Sequence, residues 1–120
     1  MFSRPLLAIL DVMEIDDTVR RIRSDEIESA SAMIRNTLLI SNSLDYELHV
    51  IEGLAQSYSP GYLAQMARAK KLYVHFDRGR IDGTVGFDGE RISALFVAPD
   101  RQGKGVGTRL LDFVENRALE

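Results

Sequence analysis

Apolar residues recur along this chain with a spacing that changes near Lys71. Upstream of it, Ile27, Ala30, Ile34 and Leu38 stand three or four positions apart, the spacing of one helix face. An amphipathic helix is predicted over residues 25 to about 39, with Asp25 as N-cap and Glu28 three residues on. The polar run "SNS" from Ser41 ends it, and a second helix follows from about residue 44 to 54, with Leu44, Leu48, Ile51 and Leu54 on one face. Ser59 as N-cap and Pro60 at the first helical position start a third helix that ends near Lys70.

Downstream of Lys71 the period falls to two. "LYVHF", "IDGTVGF" and "RISALFV" read as strands and "DRGR" and "DGE" as the turns between them, so an antiparallel meander with short hairpins is expected. "TVRRI", from Thr18 to Ile22, has the β-branched content of a short first strand. After a glycine-rich stretch, Val106, Leu110, Phe113 and Val114 restore a helical period that runs to the last residue. The order is strand, helices, three strands, loop, helix: an α/β fold.

Composition narrows what such a fold does. A chain of 120 residues that is 45% hydrophobic suits one compact domain. It is placed at residues 18–120, with residues 1–17 as an extension, a strand, or an upstream start ahead of Met13. The net charge of −3, from 15 basic and 18 acidic residues without a block of either sign, disfavours nucleic acid as the main partner. With no cysteine and two histidines, neither a thiolate nor a His-rich metal site is expected. The apolar run from Leu6 to Leu10 is too brief for a membrane span, and acidic residues follow it where a signal peptide would have a cleavage site. A soluble, cytoplasmic protein without a membrane partner is expected.

The stretch "VAPDRQGKGVGTRLL", Val97 to Leu111, carries the chemistry. A strand running through a glycine turn into a helix presents unpaired backbone N–H groups and the positive end of the helix dipole at one spot, which favours an anion. Glycines at 103, 105 and 107 let a bulky pyrophosphate approach the main chain, and Lys104 and the Thr108 hydroxyl add donors. A P-loop is excluded because Gly105 follows Lys104 and residue 99 is proline. A dinucleotide fingerprint is excluded because the spacing is G-x-G-x-G after three antiparallel strands. The stretch does fit Q/R-x-x-G-x-G/A, filled by Gln102, Gly105 and Gly107.

With "ALFVAPDRQGKGVGTRLLDFVENRA" the chain resembles the GCN5-related N-acetyltransferase (GNAT) superfamily over about residues 18–120. The resemblance implies a mixed, mainly antiparallel sheet flanked by helices, lacking the family's usual last strands and helix. It implies acetyl-coenzyme A as co-substrate, with main-chain groups of Leu95, Phe96 and Val97 pairing with the pantetheine arm as a further strand would. Gln102 and the N–H groups of Gly103, Lys104, Gly105, Val106, Gly107 and Thr108 would bind the pyrophosphate. The amine acceptor, a small molecule or a protein, would attack the thioester directly, and a strand-four N–H near Phe96 would stabilise the oxyanion.

Some family members carry a base on the fourth strand, at the position filled here by Arg91; Glu90 lies one residue out of register. That shift turns a strand side chain to the opposite face and favours a solvated turn acid. Tyr46, Glu47 and His49 fall where the family lines the acceptor side, although surface packing explains them. His75 is expected to face solvent or a helix. Tyr58 and Tyr62 flank "SPG" and are explained by capping and packing, with Tyr58 near the acceptor pocket. The family usually continues into a fifth strand, so three readings stand: a fragment of a longer acetyltransferase, a module that binds coenzyme A without turnover, or a protomer completed by a partner. An exposed fourth-strand edge ending in "ALFV" points to a homo-oligomer formed through it.

Overall fold

The computed structural model describes residues 19–41 and 47–119. The extension at residues 1–17, and with it Leu44 and Tyr46, lie outside the described residues. Strand β1 (Val19–Arg21) leads through a 3-10 turn (Ser24–Glu26) into helix α1 (Ile27–Ser41). Helices α2 (Leu48–Ser57) and α3 (Pro60–Arg68) follow, then strands β2 (Leu72–Asp77), β3 (Arg80–Phe87) and β4 (Ile92–Val97). A second 3-10 turn (Pro99–Arg101) and the glycine stretch precede helix α4 (Val106–Ala118). The strands form one antiparallel sheet in the order β1-β2-β3-β4, so each strand from β2 onward lies beside its neighbour in sequence.

The two-residue period of β2 explains the layering. Leu72 and Val74 enter the core shared with Ile34 and Leu38 of α1, Ile51 of α2 and Leu63 of α3. Tyr73, between them, turns to the other face and packs with Val19, Val85 and the Val106, Leu110 and Val114 stripe of α4. A sheet covered on both faces needs apolar residues at successive positions, which is why β2 and β3 are buried along most of their length.

Three expectations are corrected. The helix start is capped two residues earlier than Asp25: Glu26, not Glu28, accepts from the Arg23 N–H at 2.9 Å, while the Glu26 N–H returns to the Arg23 carbonyl at 3.0 Å. Glu26 is drawn there by the Arg20 guanidinium, six residues back in the chain and on a different element. On α2 the buried residues are Ile51 and Ala55, whereas Leu48 and Leu54 are exposed at 60% and 41%. A short helix packed mainly on α1 hides only a narrow stripe. Of the two expectations for His75, solvent or a helix, solvent is excluded, because it is buried in a doubly covered strand with a carboxylate beside it. The Ser59 cap is as expected: its hydroxyl accepts from the Tyr62 N–H at 3.2 Å.

Candidate functional site

The glycine stretch forms an open turn at the end of β4. Gly103 and Gly105 have φ of +78° and +91°, a region that side chains strain to enter, and a Cβ on either would meet no atom within 4 Å. The space in front of both is therefore free for a ligand. Gly105 is the N-cap of α4 and supplies no side-chain hydrogen bond, so the first N–H groups of that helix have no side-chain cap. Val106 is buried in the α4 core and can offer only its main chain; Lys104 and Thr108 are exposed beside the turn. Gly107 is different: its Cβ would lie 3.7 Å from Val97 Cγ2, an ordinary contact.

Strand β4 is the edge of the sheet, paired on one side only. Its register with β3 breaks between Thr84 and Gly86, and Ala94 opposite has a φ of +50°, a bulge that separates Ser93 from the last residues of the strand. Beyond it Thr84 pairs with Phe96 and Gly83 with Val97, and the Ala98 N–H donates to the Asp82 carbonyl at 2.8 Å. Because antiparallel residues alternate, that bond directs the main-chain groups of Phe96 toward Thr84 and those of Val97 to the open edge. The Phe96 N–H expected to face the thioester is thus turned into the sheet, and its neighbour's is turned out. Gln102 folds back on the strand, its Nε2 donating to the Val97 carbonyl at 3.0 Å, so it braces the turn against β4.

The other candidates are dispersed. Glu90 lies in the β3–β4 turn, exposed, its N–H donating to Asp88 Oδ1 at 2.9 Å; this is the end of β4 opposite the glycine turn. His49 and Glu47 are exposed, with 3.4 Å between Nδ1 and Oε2. Tyr58 is brought to the strand: its ring meets Phe96 edge-on at 5.0 Å and Tyr62 at 5.9 Å. Burial raises the Tyr58 hydroxyl above its usual pKa, so it holds its proton. A cavity of about 870 Å³ between α1 and the β2–β3 turn is lined by Met33, Asn36, Phe76, Arg80, Pro99 and Asp100 among others, and its lining includes neither a residue of β4 nor Gly103, Gly105 or Gly107. Its Asp100 and Arg80 satisfy each other at 2.6 and 2.8 Å. Among the described residues no helix is long and apolar enough to cross a membrane, and no cluster of three or more His, Cys, Asp or Glu is placed to hold a metal ion.

An antiparallel sheet whose bulged edge strand runs into a glycine-started helix, with helices on both faces, is the frame of an acyl-coenzyme-A-dependent transferase fold. The chain belongs to the GNAT family: the family model for an acetyltransferase (GNAT) domain matches residues 44–120. No curated protein matches the sequence. Among solved structures it is similar to the PaiA N-acetyltransferase of Thermoplasma acidophilum in complex with coenzyme A, with TM-score 0.74 at 16% identity over 83% of this chain and 70% of that one. A GCN5-related N-acetyltransferase from Rhodopseudomonas palustris gives TM-score 0.76 at 21% identity, over 83% and 64%. The apo form of YjaB from Escherichia coli gives 0.69 at 24%, over 85% and 66%. The chain thus spans about two thirds of the length of these structures, and the shared feature is the fold.

Proposed function

We propose that this chain transfers acetyl from acetyl-coenzyme A to a primary amine. The carrying observation is the open edge of β4 leading directly into the glycine turn and the uncapped start of α4. The residues present fit the co-substrate: free space stands before Gly103 and Gly105, and the start of α4 beside it has no side-chain cap to compete with a ligand for its first N–H groups. Lys104 adds a cation at the same turn. Acetyl-coenzyme A supplies a thioester that an amine can attack directly, forming the amide and releasing the thiol. On this chain, Leu95 and Val97 flank the place where a pantetheine arm would lie along β4, and an outward N–H of that edge polarises the thioester carbonyl. Phe96 and Tyr58 wall the opposite face with aromatic surface.

A second reading, a module that binds coenzyme A without turnover, is favoured by the position of Glu90 at the far end of β4 and by Arg91 where the family can carry a base. One experiment separates the two. Titration calorimetry with acetyl-coenzyme A is expected to show binding by the natural chain and at least tenfold weaker binding by Gly105→Glu, whose carboxylate stands in the anion's place. Acetyl transfer to a panel of small amines and lysine peptides then selects the enzyme; binding without transfer selects the module. No heat with the natural chain refutes both.

A further inference from the structure

A buried carboxylate on β3 anchors a charge network beside the glycine turn that the acetyl-transfer reading leaves unused. Asp82, with no exposed surface in β3, places one carboxylate oxygen 2.5 Å from His75 Nδ1 and the other 3.0 Å from Arg101 Nε. Arg101 Nη2 reaches on to Asp77 at the end of β2. A carboxylate only accepts, so His75 carries its proton on Nδ1. Its Nε2 is buried and has no hydrogen-bond partner, which shuts the ring off from any substrate. His75 is therefore no acid or base for a bound amine; what it does is satisfy Asp82.

Asp82 also grips the turn through its main chain, since its carbonyl accepts from the Ala98 N–H at 2.8 Å. The Pro99–Arg101 turn is thus fixed at both ends by a single residue: a backbone bond just before Pro99 and a partly buried ion pair at Arg101. The chain passes from Arg101 straight into Gln102 and then Gly103 and Gly105, which have no side chains with which to anchor themselves. Arg101, held by two carboxylates, anchors the chain just before the N–H groups that face the open space, and Gln102 adds its brace to the Val97 carbonyl. Its planar fork can donate to two carboxylates at once, which a lysine ammonium at the end of a flexible stem reproduces poorly.

We infer that Arg101, clamped by Asp82 and Asp77, is the positioning residue of the anion-binding turn. It sets where the N–H groups from Gly103 to Thr108 stand before a ligand arrives, and His75 completes the clamp by holding the far oxygen of Asp82. The inference rests on the reading that this turn takes the pyrophosphate of coenzyme A. Preorganised donors bind without an ordering cost, and releasing the clamp restores that cost.

The test uses the full chain, coenzyme A as probe, and three measurements: thermal melting, calorimetric affinity, and the phosphorus NMR spectrum of the bound ligand. That spectrum reports the pyrophosphate and the 3′-phosphate separately. For Arg101→Ala the expected result is a cooperative melt and affinity weakened roughly tenfold. The pyrophosphate resonances should shift toward their free positions while the 3′-phosphate resonance stays. Should Arg101→Ala lose its melting transition, Arg101→Lys retains one ion pair and is expected to show a smaller loss on the same resonances. A folded variant with natural affinity overturns the inference, as does a weakening that moves both kinds of phosphate alike. A natural chain that takes up no coenzyme A refutes the underlying reading, an outcome visible before any variant is made.

Discussion

Arg20 and Glu26 make a two-bond ion pair at 3.0 and 2.7 Å, and Glu26 also accepts from the Arg23 N–H. The Arg20 hydrogen bonds hold the Glu26 carboxyl below its ordinary value of 4.5, against the opposing effect of burial. A pKa lowered on folding contributes stability that is fully present above that ordinary value and is lost as pH falls through the folded one. Glu26→Gln is therefore expected to melt lower than the natural chain at pH 7. The two melting temperatures should converge as the pH is taken below 4.5, and a gap that stays constant there would exclude the pair as its source. Residue by residue, legibility followed distance in sequence. The glycine turn could be read because its donors, glycines and helix start are consecutive. The Asp82 clamp could not, since Asp77, Asp82 and Arg101 meet only after β2, β3 and the Pro99 turn are in place. The one local signal was an acid flanked by Ile81 and Gly83 inside a strand otherwise fit for the core.

Among the elements, α4 approaches β3 closely at Gly83. A Cβ on Gly83 would sit 2.8 Å from both Leu110 Cδ1 and Val106 Cγ1, and 3.3 Å from the Phe96 carbonyl. Gly83→Ala is expected to cost about 1–3 kcal/mol, read as a lower urea midpoint, because the helix start must move off the sheet. Gly107→Ala is its control: helical already, and 3.7 Å from Val97, it should leave the midpoint unchanged or raise it. Equal losses in both would mean that glycine flexibility, not close packing, sets the position of α4. The change of period at Lys71 and the turn residues made the strands legible to within a residue. The faces of α2 were less so, because Leu48, Val50, Ile51, Leu54 and Ala55 share one broad apolar side and only the packing on α1 decides that Ile51 and Ala55 are the hidden pair.

For the molecule as a whole, the sequential sheet order and the layered cores were legible, since a hairpin meander leaves little choice of neighbours. What the pattern did not disclose is how unequally the sheet is tied together in time. Strands β2, β3 and β4 pair through short turns, so their contacts close small loops. β1 pairs Val19 with His75 across the entire helical segment, and with three residues it has few bonds to repay that closure. During folding β1 is expected to dock last, and in the native state to open first. In hydrogen exchange, amides bonded between β1 and β2, such as Ile22 to the Leu72 carbonyl, should exchange through a partial opening well below the energy of global unfolding. Val85 and Leu110, in the meander and its covering helix, should exchange only globally. Since Val19 lies directly over His75 in the ladder, each such opening would let water briefly reach the otherwise sealed histidine. The clamp's tautomer would then be exposed to solvent on the timescale of that motion.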